Sequence, residues 1–271
     1  MNSKFFTTRA ADGKQVLNRT YWNAWYEAER GRLKDKGQSA WGKPTALMLC
    51  EISRIVGDLK GQNVAIFGEG DGRYSIHFAR QGANVVHVDY SEGAINGLRE
   101  VIRENGGHGI GRTKAEDQKM LIVGKGIIDI VQEDVSAYTQ HIRSGGSIST
   151  LTDFQKIKLV LSSGLAEYLP PQELAELVRF WQEITLVEGA HAIVYLAQGP
   201  GVSEIPGEHP HEPGFIESLY DKGKWRFTFQ GDTTREDTHI IIRPEDTTIE
   251  PDRPAETHIH RIMRFVAEKL E

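Results

Sequence analysis

Three glycines at alternate positions follow an apolar run in the first third of the chain. Gly68, Gly70 and Gly72 lie in "VAIFGEGDGR", directly after "VAIF". A glycine-rich turn between a strand and a helix lets a ligand approach the backbone closely, and the N-terminus of the helix favours negative groups. This turn is therefore the first candidate for a nucleotide or cofactor site.

The spacing of these glycines separates the ligands that use such turns. A phosphate-binding loop requires a lysine after its last glycine, whereas Arg73 follows Gly72 here. The dinucleotide fingerprint G-x-G-x-x-G places its third glycine one position further along than this chain does. A phosphate-binding loop is excluded and a pyrophosphate site is disfavoured, while a purely structural turn in another α/β domain stays open.

Acidic residues end the next two predicted strands. Asp89 follows "ANVVHV", and Asp134 stands near the end of "IIDIVQEDV". A carboxylate at the end of the second strand accepts hydrogen bonds from ribose hydroxyls in several adenosine-containing cofactors. At the end of the third strand, a carboxylate or its neighbouring backbone can face an adenine ring. These two positions favour an adenosine-containing cofactor without identifying it.

Apolar runs alternate with amphipathic helices through the middle of the chain. "NVAIF", "KIKLVLSS" and "HAIVYLA" are typical of buried strands, and "PPQELAELVRFWQEI" carries one apolar stripe at helical spacing. This alternation predicts a parallel sheet covered on both faces. The segment before it reads as helical. The segment after it contains the predicted strands "KWRFTF", "HIIIRP" and "HIHRIMRFVA", the last two separated by a proline-containing loop.

Taken together and in this order, the motifs resemble those of a class I S-adenosylmethionine-dependent methyltransferase. They are the G-x-G-x-G turn, the two strand-end aspartates and "KLVLSSGLAEYLPPQELAEL" after the fourth strand. "GEGDGR" is most similar to the small-molecule subgroup that includes tellurite-resistance and thiopurine methyltransferases. The resemblance implies a Rossmann-like α/β three-layer sandwich with a seven-stranded, mostly parallel sheet and an antiparallel C-terminal strand pair.

The same resemblance implies a single domain and a cofactor site. Residues 1–60 would form a helical lid, 61–199 the cofactor-binding core, and 200–271 the C-terminal strands and substrate-side loops. Gly68, Gly70 and Gly72 would lie beneath the methionine part of the cofactor. Asp89 would hold the ribose, and Tyr90 would pack against the adenine. Asp134 and Val135 would meet the adenine edge, and Ser162 and Ser163 would lie near the sulfonium.

One position departs from the family pattern. The family often has an acidic residue two places before the first glycine, where this chain has Ile66. We expect Glu69 to hold the cofactor's amino group instead, since a carboxylate near an ammonium and a sulfonium is electrostatically favourable.

The resemblance implies methyl transfer from S-adenosylmethionine to an N, O or S nucleophile of a small molecule. Candidates for orienting or deprotonating that nucleophile are Tyr168, His209 and His211, and the substrate-side candidates from the lid are Tyr21, Trp22 and Tyr26. An Asn/Asp-Pro-Pro-Tyr segment is absent after the fourth strand, where this chain has "SSGLAEYLP", which argues against exocyclic amines of nucleic-acid bases as substrates. A nicotinamide-dinucleotide oxidoreductase and a non-catalytic adenosine-cofactor-binding module are the alternatives.

Composition narrows the partners. The chain has 271 residues and a formal net charge of −6, without the basic stripe that binds nucleic acid. The single cysteine, Cys50, forms no internal disulfide. The pairs His209–His211 and His258–His260 each have metal-chelating spacing, but their polar context indicates surface roles, so no metal is predicted. Without an apolar run of membrane-spanning or signal-peptide length, a cytoplasmic location is expected; oligomeric state stays open.

Overall fold

The computed structural model describes residues 8–9, 15–16, 19–33, 35–109, 120–145, 156–199, 201–202, 210–239 and 256–271. Its helices are α1 (Arg19–Arg32), α2 (Ala46–Val56), α3 (Arg73–Arg80), α4 (Glu92–Glu104), α5 (Val135–Arg143) and α6 (Pro171–Ile184). Its strands are β1 (Thr8–Arg9), β2 (Gln15–Val16), β3 (Asn63–Phe67), β4 (Asn84–Asp89), β5 (His108–Gly109), β6 (Met120–Val123), β7 (Gly126–Gln132), β8 (Ile157–Ser163), β9 (Thr185–Ala197), β10 (Trp225–His239) and β11 (Glu256–Lys269).

Nine of the described strands form one mixed sheet in the order β10-β11-β9-β8-β3-β4-β7-β6-β5. The five central strands from β9 to β7 run parallel, because each is followed or preceded by a helical crossover. β11 runs antiparallel to β9, and β10 antiparallel to β11, so the predicted C-terminal antiparallel pair is confirmed. β1 and β2 pair separately.

The predicted count of seven strands is wrong, because β5 and β6 extend the sheet beyond β7. β6 pairs antiparallel with β7 across a tight turn at Gly124 and Lys125, and Gly124 has a φ of 63°. The segment "KMLIVGKGIIDIV" contains two apolar runs separated by that turn, and only the second is among the strands predicted from the sequence. A four-residue run such as β6 carries too weak a periodic signal to be recognised alone.

Helices cover both faces of the sheet. On one face α2, α3 and α4 pack against alternate strand residues such as Ile66 and Leu161. On the other face α5 and α6 pack against Phe67, with Trp181 of α6 fully buried. The expected α/β sandwich therefore forms, and its carboxyl edge presents the loops after β3, β4, β7, β8 and β9 on one side of the molecule. None of the described helices is long and apolar enough to cross a membrane.

The C-terminal strands differ in extent from the prediction. β10 continues from the "KWRFTF" segment as far as His239. His239 therefore ends β10, whereas the sequence predicts that it begins a separate strand, "HIIIRP". The rest of "HIIIRP", residues 240–244, lies outside the described residues. β11 begins at Glu256 and contains the whole of "HIHRIMRFVA".

Candidate functional site

The glycine turn joins β3 to α3 in backbone conformations that glycine alone adopts easily. Gly68, Gly70 and Gly72 have φ angles of 62°, 79° and 83°, in the left-handed region where a Cβ is strained. A Cβ on Gly70 would overlap the hydroxyl oxygen of Tyr26 and would lie 2.6 Å from its Cζ atom. The fold itself therefore requires glycine at position 70, in addition to any requirement of a ligand.

Asp89 connects this turn to the end of β4. One carboxylate oxygen accepts the amide hydrogen of Gly70 at 2.9 Å, and the other accepts that of Ser91 at 2.9 Å. The side chain is only 6% exposed, and burial raises the pKa of the Asp89 carboxyl to about 6 despite these bonds. The structure therefore brings together the two motifs expected to bind one cofactor, with Tyr90 next to them at the strand end.

Glu69 has a different environment from the one expected. Its carboxylate accepts hydrogen bonds from the amide of Tyr74, the amide of Ser75 at 3.1 Å and the Ser75 hydroxyl at 2.7 Å. These groups belong to the first turn of α3, where a carboxylate satisfies free amides and interacts favourably with the helix dipole. Burial raises the Glu69 pKa to about 7. Glu69 therefore has a structural role that its place between two glycines did not indicate.

Asp134 does not end the third parallel strand, since β7 ends at Gln132. It is instead the N-cap of α5, where its Oδ1 accepts the amide hydrogens of Ser136 at 2.9 Å and Ala137 at 3.2 Å. Val135 begins α5 and is buried in the core. Both residues still lie at the junction between β7 and α5, beside the end of β4.

The end of β8 approaches the glycine turn through Arg73. Arg73 Nη2 donates a hydrogen bond to Ser163 Oγ at 2.8 Å, and Nη1 donates to the carbonyl oxygen of Trp41 at 3.1 Å. Ser162 points to the opposite face of the sheet, and its buried hydroxyl has no hydrogen-bond partner within the part of the chain that is described. The two serines predicted near the sulfonium thus face different layers.

Five aromatic side chains cover the glycine turn, and we call them the aromatic cluster: Trp22, Trp25, Tyr26, Trp41 and Tyr168. Trp22 meets Tyr168 edge-to-face with centroids 5.1 Å apart, and Trp25 stacks on Trp41 at 4.6 Å. Trp41 Nε1 donates to the Tyr26 hydroxyl at 2.7 Å. These contacts join α1, the loop before α2 and the turn after β8 into one apolar cover.

The structure brings three of the predicted site residues into this cover. Trp22 and Tyr26 come from α1, and Tyr168 ends the 3-10 turn after β8. Tyr21 also lies in α1, but its side chain is outside the described part of the structure. Trp41 was missed because "KDKGQSAWGKP" has the composition of a turn, and only the tertiary structure shows that its tryptophan packs over the site.

A buried ion pair fixes α1 to the glycine turn. Arg30 Nη1 lies 3.1 Å from Asp71 Oδ2, and Arg30 Nε donates to Glu100 of α4 at 2.8 Å. Asp71 is fully buried and also accepts bonds from the Ser39 hydroxyl and the Ala40 amide. Neither Arg30 nor Asp71 is among the site residues predicted from the sequence. The sequence feature that could have drawn attention to Asp71 is its position inside the glycine turn "GEGDGR".

Glu167 is a further residue that the sequence analysis missed. It lies in the turn after β8 and is 3% exposed, and the backbone amides of Glu167 itself and of Leu196, near the end of β9, favour its charged form. Its Oε2 is buried without a hydrogen-bond partner among the described residues. Burial raises the Glu167 pKa to about 7. A carboxyl group that titrates near neutrality therefore lies at the strand ends where chemistry is expected.

His211 contacts the same turn after β8 that contains Tyr168. Its Nε2 is 2.9 Å from the carbonyl oxygen of Ala166, so that nitrogen carries the proton and donates. The ring is buried and stacks on Phe215 with centroids 5.0 Å apart. His209, the third catalytic candidate, lies outside the described residues.

The remaining histidine pair shows the geometry of strand neighbours. His258 and His260 lie on the same face of β11 with ring centroids 4.5 Å apart. Within the described ranges, no group of three or more His, Cys, Asp or Glu side chains is arranged to hold a metal ion.

No protein-family model and no curated protein sequence matches the chain. Solved structures do match it. TehB from Haemophilus influenzae is 15% identical with a TM-score of 0.58, over 89% of this chain and 67% of that one. Magnesium protoporphyrin IX methyltransferase (ChlM) from Synechocystis, with SAH bound, is 14% identical with a TM-score of 0.53, over 92% and 96%.

A third structure is the Burkholderia thailandensis 1,6-didemethyltoxoflavin-N1-methyltransferase, at 11% identity and a TM-score of 0.51, over 93% of this chain and 87% of that one. The chain has the class I methyltransferase fold. The resemblance stated from the sequence motifs is thereby confirmed for the fold, and β5 and β6 extend the seven strands that were expected.

Proposed function

We propose that the protein transfers the methyl group of S-adenosylmethionine to a nitrogen, oxygen or sulfur atom of a small molecule. The observation that carries this proposal is the hydrogen bond between Asp89 and the amide of Gly70. It unites the glycine turn and the strand-end carboxylate at the carboxyl edge of a methyltransferase-type sheet. Two of the similar methyltransferases, ChlM and the toxoflavin enzyme, were solved with SAH bound, which supports the choice of cofactor.

In this proposal the residues after β3, β4 and β7 bind the cofactor. The glycine turn contacts its methionine part, Asp89 and Tyr90 its ribose and adenine, and the start of α5 at Asp134 and Val135 the adenine edge. Ser162 and Ser163 end β8 near the methyl donor. Glu69 is assigned to the α3 terminus, because all its hydrogen bonds lie there. The bound cofactor supplies an electrophilic methyl group on a sulfonium.

The protein's own tasks are orientation and exclusion of water. The aromatic cluster covers the turn with apolar rings, so a nucleophile beneath it reacts in a poorly solvated space. Tyr168 belongs to that cluster and is placed to orient the nucleophile. His211 and Glu167 border the same turn after β8, and a protonated nucleophile would transfer its proton to one of the groups there.

The domain organisation follows from these roles. Residues 1–60 act as the lid through α1 and the loop that carries Trp41, residues 61–199 form the cofactor-binding core, and residues 200–271 complete the sheet and border the substrate. The Arg30–Asp71 pair holds the lid on the core.

The proposal is tested by calorimetric titration with S-adenosylhomocysteine and, separately, with NAD. We expect micromolar binding of S-adenosylhomocysteine alone, weakened roughly tenfold or more by Asp89→Asn, because a hydrogen bond to a charged group contributes about 1.5–3 kcal/mol. The matched control is Asp58→Asn, an exposed aspartate outside the site, which should leave the affinity unchanged.

The other results are equally informative. Binding of NAD alone would reject methyl transfer in favour of redox chemistry. Binding of S-adenosylhomocysteine without transfer of labelled methyl groups to any of a broad panel of small amines, phenols and thiols would favour the non-catalytic module. Retention of affinity in Asp89→Asn would refute the assignment of the carboxylate to the ribose.

A further inference from the structure

Two arginines near the proposed site differ from most of the other described arginines. Seven described arginines form ion pairs with carboxylates: Arg30, Arg32, Arg54, Arg103, Arg143, Arg226 and Arg261. By contrast, the hydrogen bonds of Arg73 within the described residues go to Trp41 O and Ser163 Oγ, and that of Arg264 goes to Thr233 Oγ1 at 3.1 Å. All three acceptors are neutral oxygens, so neither guanidinium group is directly neutralised.

The sheet register places the two arginines on one face. Ser163 on β8 pairs with Val194 on β9, Val194 pairs with Arg264 on β11, and Arg264 pairs with Gly231 on β10. Directly opposite residues point to the same face, here the face covered by α2 and α3. With adjacent strands about 4.8 Å apart, the Cα atoms of Ser163 and Arg264 are about 10 Å apart. Arg73, which is hydrogen-bonded to Ser163, thus lies on one side of the half-buried Val194, and Arg264 lies on the other.

The electrostatics of this row indicate an uncompensated positive charge. Partial burial and the neighbouring charges of Arg235 and Arg73 hold the pKa of Arg264 below its usual range. Arg73 Nε is buried and has no hydrogen-bond partner among the described residues. The acidic group that acts on Arg73 is Glu69, but its oxygens are already hydrogen-bonded at the N-terminus of α3. Since both guanidinium groups are partly buried and neither has a salt-bridged carboxylate among the described residues, an external anionic acceptor is favoured here.

We propose that Arg73 and Arg264 bind an anionic oxygen group, a carboxylate or similar oxyanion, of the small-molecule substrate. This inference rests on the proposed function and adds the chemical class of the substrate. Arg264 lies two strands beyond β8, on the side away from Asp89, so it belongs to the substrate side and not to the adenosine side. Arginine suits this task because its planar donors match the two oxygens of a carboxylate.

The test uses two probes of the same shape and different charge, 4-hydroxybenzoate and 4-hydroxybenzamide. Each is titrated into protein saturated with S-adenosylhomocysteine, and binding is followed by ligand-observed NMR, which detects millimolar affinities. We expect the carboxylate to bind at least about tenfold more tightly than the amide, since a charge-assisted bidentate pair is worth on the order of 1.5–3 kcal/mol.

Substitutions of Arg264 test whether this residue causes the preference. Arg264→Met should weaken binding of the carboxylate probe about tenfold and leave the affinities for the amide probe and for S-adenosylhomocysteine unchanged. Arg264→Lys keeps the charge but loses the bidentate guanidinium geometry, so its affinity for the carboxylate probe should be intermediate. Arg179→Met, on the exposed surface of α6 across the sheet, is the matched control and should change nothing. Circular dichroism confirms that each variant is folded, and Arg264→Lys carries the test if Arg264→Met is not.

The outcomes separate the two proposals. Equal binding of the two probes, no binding of the carboxylate, or binding that is insensitive to both Arg264 substitutions would overturn the anion site. Loss of S-adenosylhomocysteine in Arg264→Met would also overturn it, because the arginine would then serve the cofactor. Failure of the wild-type protein to bind S-adenosylhomocysteine would instead reject the proposed function on which the inference rests.

Discussion

Replacement of Gly70 by alanine tests how closely the lid approaches the glycine turn. The added methyl group would overlap the Tyr26 hydroxyl oxygen and lie 2.6 Å from the Tyr26 Cζ atom. Gly70 also has a φ of 79°, which an L residue adopts at a cost. The substitution therefore combines backbone strain with displacement of a buried ring that accepts a hydrogen bond from Trp41.

The two contributions can be separated with a matched control. The left-handed backbone costs alanine about 1–2 kcal/mol. This is all that Gly145→Ala should cost, since Gly145 has a φ of 84° and no heavy atom of the described residues lies within 4 Å of an added Cβ. Displacement of Tyr26 adds about 1–3 kcal/mol of overpacking. We therefore expect Gly70→Ala to lower the free energy of unfolding by about 2–5 kcal/mol.

Urea unfolding followed by circular dichroism and tryptophan fluorescence measures both variants. In a Tyr26→Ala background the cost of Gly70→Ala should fall to that of Gly145→Ala, because the ring that the methyl group would displace is gone. Equal destabilisation by Gly70→Ala and Gly145→Ala in the wild-type background would refute the reasoning, since the lid would then not lie against the turn.

Two further predictions concern the buried charges. Arg30→Met should lower the free energy of unfolding by about 3–5 kcal/mol, because it leaves the fully buried Asp71 without its cation. The control Arg54→Met, which breaks the exposed pair with Glu51, should cost less than about 1 kcal/mol. Similar urea midpoints for the two variants would contradict this expectation. For Glu167, the folded-state pKa of about 7 lies above the ordinary 4.5, so the folded state holds this proton more tightly, and the resulting stability is present below pH 4.5 and lost as the pH rises through 7. In urea unfolding, Glu167→Gln should reduce the loss of stability between pH 5 and pH 8 by about 1–3 kcal/mol. The control Glu176→Gln, at an exposed position, should leave this loss unchanged. A pH dependence like that of the wild type in Glu167→Gln would show that the Glu167 carboxyl is not buried as described.

Local sequence patterns determined the central part of this fold and of its site. The strand, glycine turn and helix at 63–80 are contiguous, so their geometry depends on neighbours in the chain. The carboxyl ends of adjacent parallel strands meet at one edge, and Gly70 and Asp89 therefore had to lie close together once both were recognised as strand ends. The resemblance to methyltransferases, and not the strand order, suggested that Trp22 in the N-terminal helix and Tyr168 after the fourth strand lie near one site, and their ring centroids are 5.1 Å apart.

Other features depended on pairing and packing between distant segments. The short run at β6 became a strand only by pairing with β7, and the strand end expected at Asp134 became an N-cap because α5 begins there. The direction of the Glu69 side chain was decided by the free amides at the start of α3, which a carboxylate between two glycines can reach as well as a ligand.

The sequence by itself thus determined the order of the central strands and helices along the chain, the glycine turn and the strand-end carboxylate, because each is a short-range pattern. Only the tertiary structure decided that Trp41 covers the turn, that Arg30 reaches Asp71, and that Arg264 lies in register with Ser163. Those contacts join residues that are far apart in the chain, and they are set by sheet register and by the buried packing of the lid, neither of which has a local periodicity to read.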